Sequence, residues 1–389
     1  KYMKLGINGW RIHGQRTGVG RYLLNVIKNW TEEMVGGQFD EINFYTPEPI
    51  NHKEIPLPKN FRVRLLPSDK PMLVWENSQM ARAIDDDVIF CPSYTIPLFA
   101  RGKTVVVTHD ATSKMYPEFF SFSVRHFYNH LYGWSARKAT KVITTTEAAR
   151  QDIARVWNVP LEKISVTRLA IADAFKPLQN DPKVHGMRER QTGGAPFFFF
   201  VGKLSGRRNV PRLIESFAKF KKETSFPHKM IIVGPDTATL NITEIGAELG
   251  IAEHLVRLKF ATDEDLNLLY NAAEAFVMPS TYETLSFPVM ESQAVGTPVI
   301  CIDTPGAREN TGGAAFFIPK LEVAEMSKAM SEVAGNAALR RELSEKGLAN
   351  AQTFSWQKCS AETLAVLAEA AHATNSAAAF TASEVKSND

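Results

Sequence analysis

At 389 residues the chain is longer than one ordinary hydrophobic core supports, so two domains are expected. Its 45 Lys and Arg nearly balance 42 Asp and Glu, which excludes a global attraction to nucleic acid, and 44% hydrophobic residues is ordinary for a globular protein. The three cysteines, Cys91, Cys301 and Cys359, are far apart without metal-ligand spacing and read as reduced thiols. No run of about 18 apolar residues is long enough to span a bilayer, and no signal-peptide pattern precedes the first strand, so a cytoplasmic protein is expected.

In chain order the first half alternates short apolar runs with helical patterns. Lys4–Asn8 reads as a strand and Arg21–Met34 as a helix. Further strands are expected at Ile42–Thr46, Val63–Leu66, Val88–Cys91, Thr104–Thr108 and Lys141–Thr145, with helices near Asn77–Ala83, Val124–Ala139 and Glu147–Trp157. This alternation predicts an α/β fold with a doubly wound parallel sheet. Phe175–Pro196 is polar, with Pro177, Pro182, Pro196 and a Gly-Gly, and reads as an interdomain connection. A second series follows: strand Phe197–Val201, helix Val210–Glu223, strand Met230–Val233, helix Ile242–Leu249, strand Val256–Leu258, helix Asp263–Ala273, strand Ala275–Met278, a helix bearing Glu291 and strand Pro298–Ile302. Helices Val323–Gly335 and Ala337–Asn350 come next, and Phe354-Ser355-Trp356 leads a last helix to Ala371. The domains expected are 1–178 and 195–355, with 356–372 as a separate helix and 373–389, rich in Ala and Ser, as a disordered tail. Two Rossmann-like halves would place a cleft between the C-terminal ends of two sheets.

The most informative stretch is residues 277–300, VMPSTYETLSFPVMESQAVGTPVI, where Glu283 and Glu291 are separated by seven residues across a loop-to-helix junction. Pro288 suits the first helical turn, and the amides of Leu285, Ser286 and Phe287 would stand as free donors at a helix N-terminus, a seat for an anion. Glutamates beside such a seat accept hydrogen bonds from hydroxyls, which suits a phosphorylated sugar; the alternative is a capped helix with solvated glutamates. Thr17-Gly18-Val19-Gly20-Arg21-Tyr22 opens the first helix and permits close approach of a phosphate, but it lacks the full dinucleotide fingerprint and is matched equally by a tight turn. Val105-Val106-Val107-Thr108-His109-Asp110 ends an apolar strand in a polar pair. His109 there would meet a sugar hydroxyl or act as acid or base near neutral pH, unless the pair is only structural. Gly202-Lys203-Leu204-Ser205-Gly206-Arg207-Arg208 carries three cations after a strand, and Gly234-Pro235-Asp236 adds a turn on the same rim. Guanidiniums grip diphosphate with two bonds and keep their charge, whereas a solvated basic loop is the plain reading. The segment from Phe119-Phe120-Ser121-Phe122 through Arg125, His126, Tyr128, Tyr132, Trp134, Arg137 and Lys138 is expected to pack its aromatics in the core; the other reading is a membrane surface or a lipid-linked acceptor.

Joined together, these motifs resemble a retaining glycosyltransferase of the GT-B fold, similar to glycosyltransferase family 4 (glycosyl transferases group 1), over nearly the whole chain. TGVGRY is similar to the family's Gly-rich loop, VVVTHD to its strand with the cleft histidine, and KATKVITTTEAARQDI to its last strand–helix step before the crossover. FVGKLSGRRNVPRLIESF resembles the diphosphate loop. TYETLSFPVMESQAVGTPVI resembles the Glu-x7-Glu motif, the most specific of these. GGAAFFIP and the late FSW are similar to the family's ending.

The resemblance implies two Rossmann-like domains facing across a cleft, with the C-terminal helix crossing back onto the first. It implies that Arg208, with Arg207 or Lys203, holds the nucleotide diphosphate, and that Glu283 binds donor-sugar hydroxyls and Glu291 the ribose. The backbone after Glu283, at Thr284, Leu285 and Ser286, would join the phosphate seat, and Gly202 would lie in the diphosphate loop. His109 would touch the transferred sugar, and Gly18 and Gly20 would sit near the diphosphate and acceptor. Arg208, Glu283 and His109 are the implied catalytic residues, with no metal and no cofactor beyond the nucleotide sugar donor. The implied reaction moves a mannose- or glucose-like hexose to a saccharide or lipid-linked acceptor with retention, in polysaccharide, lipopolysaccharide or glycolipid assembly. Peripheral contact at the inner membrane face is left open. A non-catalytic sugar-nucleotide binding protein, or an epimerase or phosphorylase of the same fold, is the alternative. Thr284 and Ser286 stand where the family commonly has glycines, and Lys203 where many relatives carry Arg, which bears on donor choice.

Overall fold

The computed structural model describes residues 2–14, 18–204, 206–235 and 240–373; Thr17, Ser205, Asp236 and the expected tail from Thr374 lie outside the described residues. Strands β1 (Lys4–Asn8), β2 (Glu41–Thr46), β3 (Phe61–Leu65), β4 (Val88–Cys91), β5 (Lys103–Val107), β6 (Lys141–Thr144) and β7 (Ile164–Val166) form one sheet in the order β3-β2-β1-β4-β5-β6-β7. Strands β8 (Phe197–Val201), β9 (Lys229–Val233), β10 (Leu255–Leu258), β11 (Ala275–Met278), β12 (Val299–Ile302) and β13 (Phe316–Ile318) form a second in the order β10-β9-β8-β11-β12-β13. The ladders run parallel throughout. Helices cover both faces of such sheets, so their inner strands read as unbroken apolar runs. Phe197–Phe200 is the plainest case, four consecutive buried phenylalanines. In each sheet the strand order reverses once, between β1 and β4 and between β8 and β11. Ligands of doubly wound folds bind outside the strand ends at that point.

The last helix, Trp356–His372, leaves the second sheet and packs on the first. Cys359, Leu364 and Leu367 join the first core, Trp30 Nε1 donates to the Ser360 carbonyl at 2.9 Å, and Ser360 Oγ donates to the Val26 carbonyl at 2.6 Å. That contact explains one difference from the sequence expectation. The helix expected over Arg21–Met34 stops at Lys28 and a new one starts at Glu32, because Trp30 turns toward the returning helix and Thr31 caps the second segment by accepting from the Met34 amide at 3.1 Å.

The segment read as a connection, Phe175–Pro196, carries a helix at Pro182–Thr192. Asp181 caps it, Pro182 opens it, and Gly193 closes it in the left-handed conformation. It packs against helix Asp263–Ala272, while Phe175 and Met187 sit in the second core. The aromatic segment near residue 120 also departs from expectation. Its helix opens on a π-type turn at Val124–Tyr128, and Phe119, Phe122 and Phe127 face solvent rather than the core, while Phe120, Tyr128, Tyr132 and Trp134 are half-buried.

Candidate active site

The strand ends at the two reversals meet across a cleft of about 370 Å³. From the first half it is lined by Gly18, Val19, Tyr94, His109 and Asp110, and from the second by Arg207, Arg208 and Glu283 through Leu285. His109 follows β5 directly. Its ring lies edge-on to Tyr22 with centroids 5.3 Å apart and is bonded to the Pro92 carbonyl. Burial penalises the charged ring and pushes its pKa down to about 4, against the raising effect of Asp110. The imidazole is therefore neutral at working pH. Nδ1–H faces the carbonyl, and Nε2 is left buried without a partner.

On the opposite wall Glu283 sits between two guanidiniums, 3.0 Å from Arg207 and 3.6 Å from Arg208, with Ser280 Oγ donating to it at 3.3 Å. Arg207 also donates to the Tyr282 carbonyl at 2.7 Å, which ties the basic loop to the glutamate loop. Gly202, at φ +151°, is where a side chain would collide with the Arg208 guanidinium, so this glycine makes the space in which Arg208 lies. Burial lowers the Arg208 pKa and Glu283 raises it; the group stays charged in any case.

Helix Phe287–Ala294 opens with Pro288 in its first turn. Among the described residues no acceptor bonds the amides of Thr284, Leu285 or Phe287. The Ser286 amide, expected to be free, instead donates to Asn310 Oδ1 at 3.2 Å. Asn310 Nδ2 returns a bond to the Thr284 carbonyl at 2.8 Å. Asn310 belongs to helix Pro305–Thr311, and Gly306 of the same helix lets the Glu283 carbonyl pass where any side chain would overlap it.

Other expected residues lie farther out. Glu291 is off the cavity, half-buried, and accepts from Tyr270 Oη at 2.9 Å; burial raises its carboxyl to about 7. Lys203 is exposed and Gly20 is buried inside helix Gly18–Lys28, neither lining the cleft.

The sequence model described as Glycosyltransferase Family 4 matches residues 16–173, and that described as Glycosyl transferases group 1 matches residues 187–349. The chain belongs to this glycosyltransferase family. It is 24% identical over 369 residues to the O-antigen chain mannosyltransferase B of Escherichia coli, covering 90% of this chain and 95% of that one. It is 30% identical over 228 residues to the O-antigen chain mannosyltransferase RfbU of Salmonella typhimurium, covering 58% and 59%. Among solved structures it resembles Anabaena Alr3699/HepE in complex with UDP and glucose, with TM-score 0.71 and 17% identity over 94% of this chain and 99% of that one. WaaG, a glycosyltransferase involved in lipopolysaccharide biosynthesis, gives TM-score 0.67 and 16% identity over 93% and 99%. The fold is GT-B.

Several cleft residues of this glycosyltransferase carry no signal of their own in the sequence. Tyr94 holds a left-handed backbone, φ +57°, unusual for a bulky side chain and a form of strain that gathers at functional sites. Its hydroxyl donates to Asp110 at 3.4 Å and its ring lies 5.7 Å from that of His109. The halves also touch directly. Glu309 accepts from the amides of Glu147 and Ala148 at 2.7 and 2.9 Å, at the start of helix Glu147–Trp157, and Tyr282 Oη donates to Asp152 at 2.6 Å. Thr304-Pro305 and Gly312-Gly313 mark the ends of the helix bearing Glu309 and Asn310, and this cap pattern is the one signal that points to it.

Proposed function

We propose that this glycosyltransferase moves a hexose, mannose- or glucose-like, from a nucleoside diphosphate sugar to an acceptor hydroxyl with retained anomeric configuration, in assembly of a surface polysaccharide, lipopolysaccharide or glycolipid. The mannosyl donor and the polysaccharide setting are supported by the curated mannosyltransferase relatives. The observation that carries the reading is the Arg207–Glu283–Arg208 cluster facing the unpartnered His109 Nε2 across one cavity.

In this reading residues 1–178 serve the acceptor and 195–355 the donor nucleotide, with 356–372 joining them. Arg207 and Arg208 hold the diphosphate and stabilise the charge that grows on it as the glycosidic bond breaks. The free amides of Thr284, Leu285 and Phe287 add neutral donors at a helix N-terminus. Glu283 accepts from donor hydroxyls, His109 Nε2 from a hydroxyl of the transferred sugar, and Glu291 from the ribose. The diphosphate takes the acceptor proton, and no metal is required.

Guanosine and uridine diphosphates of mannose and glucose, offered singly with saccharide acceptors, test it. Nucleoside diphosphate should be released only with one matched donor and acceptor, the product anomer by NMR should match the donor, and exhaustive chelation should leave the rate unchanged. A matched nucleotide at about 100 times its dissociation constant should add about 2.7 kcal/mol to stability. Nucleotide binding without turnover on any acceptor would instead assign a sugar-nucleotide binding protein.

A further inference from the structure

Glu76 is 0% exposed, lies off the cleft lining, and opens a π-type turn, Glu76–Met80, that follows directly on helix Met72–Trp75. Taking a carboxyl out of water is costly unless its bonds are replaced, and turns of this type gather at functional sites. Its two oxygens reach two different loops. Oε2 accepts from Thr95 Oγ1 at 2.8 Å, in the loop after β4, and Oε1 accepts from Asn8 Nδ2 at 3.3 Å, at the end of β1. Asn8 Oδ1 in turn accepts from the Trp10 amide at 3.1 Å, and Arg11 Nε donates to Ser93 Oγ at 3.0 Å, so the two loops are also tied to each other. The residue after Glu76 repeats the pattern: Asn77 Oδ1 accepts from the Leu98 amide at 2.7 Å.

What these bonds surround is Tyr94. The Thr95 amide donates to the Ser93 carbonyl at 2.6 Å, closing a three-residue turn with Tyr94 at its centre, φ +57°. A turn of this size with positive φ at its central residue is the rare, strained form, and it persists only where the surroundings over-determine it. Here the Tyr94 amide is fixed on the Val107 carbonyl at 2.9 Å, Arg11 holds the residue before and Glu76 the residue after. The result is a tyrosine set against His109 and Asp110 on the first-half wall of the cleft. Burial pushes the Glu76 carboxyl up to about 7, against the lowering effect of Thr95, Asn8 and Arg11, so the group is kept there at a cost to its ionised form. We propose that Glu76 is a positioning residue for the acceptor, a role that rests on residues 1–178 being the acceptor side. Through Thr95 and Asn8 it fixes the turn at Tyr94 and the loop after β1, and so sets the shape of the wall that receives the acceptor.

Amide hydrogen exchange and steady-state kinetics on the full chain, with Glu76→Gln, Thr95→Val and the double variant, test it. Glu76→Gln keeps the size of the side chain and offers one acceptor oxygen in place of two. Exchange within residues 93–98 should quicken by about tenfold or more, while that of the second sheet stays as in the wild type. The acceptor KM should rise by about tenfold or more, with the donor KM and the affinity for nucleoside diphosphates unchanged, and the double variant should lose little beyond Glu76→Gln. A general loss of fold in Glu76→Gln would instead speed exchange throughout and weaken nucleotide binding. Thr95→Val, which removes only a hydroxyl, then decides alone by the same two readouts. Unchanged exchange at residues 93–98, an unchanged acceptor KM, or a donor KM that rises as much as the acceptor KM would overturn the proposal. Should the wild type turn over no donor with any acceptor, the glycosyl-transfer reading falls, and the exchange contrast still decides whether Glu76 holds the turn.

Discussion

Replacing Gly202 by alanine should disable the diphosphate side of the cleft without touching a charged residue. The added Cβ would overlap Arg208 Nη1 and stand 2.8 Å from Cζ, while carbon atoms attract each other best at about 3.5–4.0 Å. The Arg208 side chain, 17% exposed at the wall of the cleft, must swing away into that space, losing its approach to Glu283. If Arg208 stabilises the departing diphosphate, that contact is worth about 2.7–4 kcal/mol, or about 10²–10³ in turnover. Alanine also strains the backbone at φ +151°, with a stability cost of about 1 kcal/mol or more. The assay is kcat/KM from the release of nucleoside diphosphate, measured for Gly202→Ala, Arg208→Ala and the double variant. Both single variants should fall by similar factors and the double by little more than either, because the second change removes nothing that is still in place. Near-normal kcat/KM in Gly202→Ala, or losses that multiply in the double variant, would refute the reasoning.

Other predictions concern groups around the same loop. Glu291 has its carboxyl raised to about 7 from 4.5 by burial, so between those values the folded chain keeps a proton that the unfolded chain has released, and stability declines as pH rises through the window. Glu291→Gln should therefore gain in melting temperature over the wild type from about pH 5 to about pH 8; a difference that stays constant with pH would contradict this. Asn310→Ala strips the Ser286 amide and Thr284 carbonyl of their partner. It should cost about 1–3 kcal/mol in denaturant unfolding and raise the donor KM more than it lowers kcat; an unchanged donor KM would count against its positioning role. Glu309→Gln removes the charge on the amides of Glu147 and Ala148 and should lower stability by about 0.5–2 kcal/mol at low salt, less at high salt.

The strands were legible in the sequence because parallel strands buried on both faces appear as unbroken apolar runs, as Phe197–Val201 and Ala275–Met278 do. Among the elements that were not are helices Pro182–Thr192 and Pro305–Thr311, and strands Ile164–Val166 and Phe316–Ile318. Both helices begin at a cap residue followed by Pro and end in Gly-Gly, yet each buries only a few side chains and so lacks an apolar stripe of helical period. The aromatic segment failed for the opposite reason. Its pattern fitted core packing, and exposure is a property of the neighbours rather than of the pattern. In the site, the glutamate–arginine cluster was foreseeable as a set of charges on two loops. The capture of the Ser286 amide by Asn310 was not, since it depends on a contact between residues 24 positions apart.

Helix Pro305–Thr311 has a consequence for engineering. Gly306 meets the Glu283 carbonyl, Asn310 holds the loop at Thr284 and Ser286, and Glu309, one residue before it, reaches the other half of the molecule. One short helix is thus shared by the loop at residues 283–287 and the joint between the two halves. Transplanting the loop alone from a relative with glycines at 284 and 286 would leave its anchor mismatched and slacken the joint. Swaps of donor preference should move residues 283–287 and 304–312 together, as one cassette.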